Sequence, residues 1–88
     1  MNQLVKLLET FLEIQGLKYE TTHYPYEGES IVYVNNDITA VIYRQKYNGI
    51  SMKIWDTKEK FTFVLNKIDE RKISDVIRDL EKLLSFIK

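Results

Sequence analysis

Between Ile31 and Tyr43 the chain reads IVYVNNDITAVIY, and apolar residues fall on both alternations of the run. Val32, Val34, Ala40 and Ile42 can share one side of a strand pair, while Ile31, Tyr33, Val41 and Tyr43 share the other. A pair with one wet side alternates apolar with polar, so something is expected to cover both sides here. Asn35, Asn36 and Asp37 tolerate left-handed backbone and fold the segment into a hairpin. Its register depends on loop length. A two-residue loop aligns Ile31, Tyr33, Ala40 and Ile42, whereas a three-residue loop aligns Val32, Val34, Ile38, Ala40 and Ile42 and leaves Ile31, Tyr33, Thr39, Val41 and Tyr43 opposite. The second register is preferred, because it makes one face wholly aliphatic and gathers both tyrosines on the other.

The flanking pattern predicts elements on either side. Residues 2–15 place Leu4, Leu7, Leu8, Phe11 and Ile14 on a helical stripe, widened by Val5 and Leu12. Gly16 and Leu17 then supply a left-handed residue and an apolar one that folds back on the last turn. Residues 18–24 (KYETTHY) read as an edge strand ended by Pro25, with a loop over Tyr26–Glu29. After a turn over Arg44–Gly49, Ile50, Met52 and Ile54 alternate with Ser51, Lys53 and Trp55. After a second turn over Asp56–Glu59, Phe61, Phe63 and Leu65 alternate with Lys60, Thr62 and Val64. A last helix begins near Asn66 or Asp69 and carries Ile73, Val76, Ile77, Leu80, Leu83, Leu84 and Ile87 on one stripe. The prediction is an α+β single domain over residues 1–88: an antiparallel β-meander of about five strands, with the N-terminal and C-terminal helices packed on one face.

Composition narrows the class. The 88 residues are 44% hydrophobic and 30% charged, a globular balance, and cysteine is absent, which rules out disulfides and thiolate chemistry. Lys6, Glu9 and Glu13 interrupt the first apolar run, so no membrane segment is expected and a cytoplasmic location is. Heavy use of Ile, Lys and Asn beside a single Ala fits an AT-rich genome, viral or low-GC bacterial. The zero formal net charge hides an asymmetry, because residues 1–43 carry −4 and residues 44–72 carry +4. Such a dipole can steer a charged partner or support self-association.

With both helices on one sheet face, the other retains Ile31, Tyr33, Val41, Tyr43, Trp55 and Val64 without cover. A patch of this size rich in Tyr and Trp marks an interface. The leading expectation is a small non-enzymatic interaction module binding a protein partner, or itself as a homodimer, through Tyr33, Val41, Tyr43, Lys53 and Trp55. A phage or mobile-element inhibitor or regulator of a host protein fits that description. The alternative is a single-stranded nucleic-acid binder using Arg44, Lys46, Tyr47, Lys53, Trp55 and Lys60, in which cations neutralise phosphates and rings stack on bases.

Catalytic chemistry finds little foothold. His23 is the only histidine, Glu27 and Glu29 lie in a predicted loop, and the three glycines are isolated, so no catalytic residue, metal or cofactor is expected. The stretch LETFLEIQGLKYE resembles the opening of double-stranded RNA-binding domains, a helix, a Gly-Leu corner and a strand. That family's basic cluster at the start of its last helix is replaced here by NKIDERKISD, and its three strands contrast with about five.

Overall fold

The computed structural model describes residues 2–35, 37–45, 47, 49–58 and 60–87, with all side chains except those of Phe86 and Ile87. Helix α1 (Asn2–Ile14) is followed by strands β1 (Tyr19–Tyr24), β2 (Glu29–Val34), β3 (Ile38–Gln45), β4 (Gly49–Asp56) and β5 (Thr62–Leu65). A 3₁₀ turn (Ile68–Glu70) leads into helix α2 (Ile73–Ile87). The strands form one antiparallel sheet in chain order, β1-β2-β3-β4-β5, which is the expected α+β meander between two helices.

The hairpin takes the three-residue loop. Val34 pairs with Ile38, Val32 with Ala40 and Ser30 with Ile42, so the aliphatic set shares one face. Asn35 supplies the left-handed backbone at φ 53°; Asn36 lies outside the described residues. The loop is tied to both neighbouring strands. The Asn35 N–H donates to the Lys18 carbonyl at 3.0 Å, and the Thr57 N–H donates to the Asp37 carbonyl at 2.8 Å.

Val32, Val34, Ile38, Ala40, Ile42, Ile50, Met52 and Ile54 are buried on this closed face, in one cluster with Val5, Leu8, Phe11 and Leu12 of α1 and Val76, Leu80 and Leu83 of α2. Both helices therefore lie on the same side. Polar clasps fix α1 to the edge strand: the Thr21 hydroxyl donates to Glu9 at 2.7 Å, and the Tyr19 hydroxyl donates to Glu13. That second bond, with burial and the nearby Glu13 and Glu9 charges adding to it, pushes the Tyr19 phenol up to about 12.

Helix α1 ends as expected. Gly16, at φ +73°, donates to the Glu13 carbonyl at 3.0 Å, and the Leu17 N–H reaches back to Leu12 at 2.9 Å. This is the paired-bond ending that a left-handed glycine allows. The stripe, however, is rotated from the expected one. Val5 and Leu12 are fully buried, whereas Ile14 stands 76% exposed past the edge of the core.

The C-terminal region corrects three expectations. Neither Asn66 nor Asp69 caps α2, because each is engaged by β4: Asn66 accepts the Ser51 hydroxyl at 2.9 Å, and Asp69 accepts the Ile50 N–H at 3.0 Å. The chain makes a 3₁₀ turn first and the helix opens at Ile73, with the Lys72 carbonyl accepting from Asp75 and Val76. Ile73 is thereby held at the helix start, 63% exposed rather than in the core. Ile87, expected on the stripe, has a side chain outside the described set. At the other boundaries β2 begins at Glu29, inside the expected loop, β3 runs through Arg44 to Gln45 and β4 takes in Gly49 and Asp56 from the expected turns, while β1 and β5 begin later than expected, at Tyr19 and Thr62.

Candidate functional site

Strand registers set the residues of the second face into three cross-strand rows. The first runs Glu20, Tyr33, Thr39, Trp55 and Thr62; the second Thr22, Ile31, Val41, Lys53 and Val64; the third Tyr24, Glu29, Tyr43 and Ser51. In antiparallel pairing, directly opposed residues point to the same side, so each row is a line of neighbouring side chains. Neither helix contributes its buried residues to this face, since those of both belong to the closed-face cluster.

All five expected partner-binding residues are brought together here. Tyr33, Thr39 and Trp55 are consecutive in the first row, Val41 and Lys53 adjoin in the second, and Tyr43 occupies the middle of the third. Ile31, Val41, Tyr43 and Trp55 are half-buried by one another, while Tyr33 and Val64 are 43% and 50% exposed. The Lys53 ammonium lies 5.5 Å from the Trp55 ring centre. This cation–π arrangement leans the charge towards the first row and leaves the Lys53 stem across apolar neighbours.

At the β4 end of the third row Ser51 is fully buried and donates its hydroxyl to Asn66. Tyr24 is a member that the sequence reading missed: it occupies the outer end of the third row and is exposed. Its alternation with Lys18, Glu20 and Thr22 was the available signal, masked by its place at the end of the strand next to Pro25.

The nucleic-acid set is spread more widely. Lys53 and Trp55 share the open face, but Arg44, paired with Ile50, has the opposite alternation to Tyr43 and belongs to the helix side. Tyr47 is exposed in the β3–β4 turn, Lys60 lies beyond the other end of β4, and Lys46 lies outside the described residues. The eight residues of β4 separate Tyr47 from Lys60 by roughly 25 Å. The Lys60 N–H is itself engaged, donating to the buried Asp56 carboxylate that also accepts Phe61 at 3.4 Å.

His23 lies on the closed-face side of β1, where its Nδ1 shares a 2.8 Å hydrogen bond with the Ser30 hydroxyl. These two border a cavity of about 430 Å³ together with Val5, Lys6, Glu9 and Glu29. Ser30 is only 2% exposed, so the pair reads as a satisfied polar contact under the start of α1 and not as an accessible nucleophile. Among the described residues no three His, Asp or Glu side chains gather into a metal site. Among them, too, no helix is long and apolar enough to cross a membrane. Comparison with protein-family models, with curated proteins and with solved structures finds no match to this chain.

Proposed function

We propose that this protein is a non-enzymatic interaction module that docks on a protein surface through the open sheet face, with Tyr33, Trp55, Tyr43, Val41 and Lys53 at its centre. One observation carries the reading: the registers place aromatic and aliphatic side chains in contiguous rows on the helix-free face. Apolar area of this kind is favourably removed from water. Tyr and Trp on a stiff sheet also lose little conformational freedom when they bind. A domain that acts by occupying a surface is suited to regulate or inhibit what it covers.

The test compares proteins retained by the immobilised wild type, by the double variant Tyr33→Ser with Trp55→Ser, and by the control Ile14→Ser, which changes an exposed apolar residue on α1. A specific protein, this chain included, held by the wild type and the control but lost from the double variant is the expected result. Equal retention by all three overturns the proposal. Retention of single-stranded nucleic acid alone, falling steeply with salt, does so in favour of the alternative, for which the Lys53–Trp55 pair is the favouring observation.

A further inference from the structure

We infer that the occupant of the open face is a second copy of this chain, docked face to face across a two-fold axis that runs parallel to the strands and passes over β3. The inference rests on the reading of that face as a protein-docking surface and adds the partner and the geometry.

The argument starts from charge. Because the sheet follows chain order, residues from the acidic and the basic part of the sequence stand on opposite lateral sides of the open face, where three charged residues take part. On the open face itself Glu20 and Glu29 stand on β1 and β2, and Lys53 stands on β4. A closed dimer that packs two such faces with their strands aligned places its two-fold axis close to the strand direction or close to the rows.

The two axes give opposite electrostatics. An axis along the rows lays each strand over its own copy. Lys53 then faces the second copy's Lys53, and the acidic sides of the two sheets coincide. An axis along the strands lays β2 over the second copy's β4 and β1 over its β5, so acidic meets basic on both sides. Like-charge juxtaposition selects against the first arrangement, and complementary potentials select for the second.

Side-chain pairing under the strand-parallel axis is favourable as well. Each row meets the same row of the other copy in reverse order. Tyr33 falls opposite the second copy's Trp55, twice by symmetry. Ile31 falls opposite the apolar stem of the second copy's Lys53, and Val41 and Tyr43 meet their own counterparts on the axis. Because Lys53 leans over Trp55, its ammonium approaches the row containing the second copy's Glu20, while that copy's Glu29, in the third row, adds acidic charge on the strand that Lys53 faces. Sheets packed face to face are about 10 Å apart, which a lysine side chain spans.

The size of the face sets the strength. Five strands about 4.8 Å apart and three rows about 7 Å apart give a footprint of roughly 500 Å². That lies below the roughly 800 Å² per partner of a standard stable interface. A face of this size fits a dimer that forms and dissociates with protein concentration.

The charges supply a test that leaves the core untouched. Lys53→Glu sets two acidic patches against each other in its own dimer, and Glu20→Lys with Glu29→Lys does the converse with lysines. Sedimentation equilibrium at low salt should show each variant self-associating roughly tenfold or more weakly than wild type. An equimolar mixture of the two should recover a one-to-one dimer, since every contact is again opposite in sign; circular dichroism confirms that both stay folded. Variants that dimerise like wild type overturn the inference. So do a mixture that stays monomeric and assemblies that grow beyond a dimer. A monomeric wild type that holds a different protein through Tyr33 and Trp55 overturns the self-partner and leaves the docking face standing. A monomer whose face holds no protein removes both.

Discussion

Ile42 and Val41 are consecutive residues of β3, similar in chemistry and opposite in circumstance. Ile42 lies on the closed face with no exposure, between Ser30 and Met52 and beneath two helices. Val41 lies on the open face between Ile31 and Lys53, and is half-buried by neighbours alone. Strand geometry allots adjacent residues to opposite sides, so a sequence apolar at every position builds two hydrophobic surfaces, of which the helices can seal only one. The closed face holds the fold together. The open face carries apolar area beyond what the monomer buries, which is the surplus the proposed docking would use.

The sharpest break in that comparison is a pair of truncations. Ile42→Ala should lower the unfolding free energy by about 2–5 kcal/mol, because packing around a fully enclosed site cannot relax into the space left behind. Val41→Ala should cost about 1 kcal/mol, since fewer of its contacts are lost. Urea unfolding of both measures the gap, and equal losses would mean that the open face is as much core as the closed one.

The second break is at the junction of β4 with the 3₁₀ turn. Gly49 has φ +61°, and a Cβ added there would stand 2.7 Å from an Asp69 carboxylate oxygen. That carboxylate receives the Ile50 N–H, so Gly49→Ala forces it away and strains the backbone together. A loss of about 2–3 kcal/mol is expected in the same unfolding measurement. In the Asp69→Ala background the added cost of Gly49→Ala should fall to the backbone part, about 1 kcal/mol.

The two faces also differ in how well the sequence shows them. Their allotment was legible at Tyr33, Val41, Tyr43, Lys53 and Trp55, because the strand period of two leaves only the loop length to decide and three consecutive turn formers decided it. The helices were less transparent. A stripe wide enough to include Val5, Leu12 and Ile14 does not say which of them meets the sheet, and only tertiary contact turned Ile14 outward. Asn66 and Asp69 satisfied the local rule for caps, yet Ser51 and Ile50, distant in sequence, engaged them first. The candidate basic set failed to gather for a related reason. Arg44 and Lys60 are near Lys53 along the chain, but strand alternation puts Arg44 on the other side and β4 carries Lys60 past the far end.

A third, smaller effect separates stability from binding. Trp55→Ala should reduce monomer stability by only about 1 kcal/mol, as the ring rests on an open surface and loses few enclosed contacts. Its larger consequence is on association: the melting temperature of wild type should rise with protein concentration, because a ligand of the native state stabilises it by mass action, and that of Trp55→Ala should not. Parallel concentration dependence in both would separate Trp55 from the interface.

The smallest effect concerns charges at the rim of the closed face, which are held by ion pairs and hydrogen bonds. Arg71, just before α2, donates to the Asp79 carboxylate at 2.7 Å and to the Asp75 carbonyl at 3.3 Å, with Lys82 3.6 Å from the same carboxyl group. The Arg71 hydrogen bond and charge hold Asp79 below the usual carboxylate range, against the opposing effect of burial. Because the folded state binds this proton less readily than the unfolded chain, the contribution is fully present above the ordinary aspartate value near 4. It is lost as pH falls through the lower folded one. Wild type should therefore exceed Asp79→Asn in stability at neutral pH by under about 1 kcal/mol, the range for partly exposed ion pairs. Urea midpoints at descending pH should converge as Asp79 takes up its proton. A difference that persisted unchanged into acid would assign the effect of the substitution to packing of the α2 start and not to the Arg71 charge.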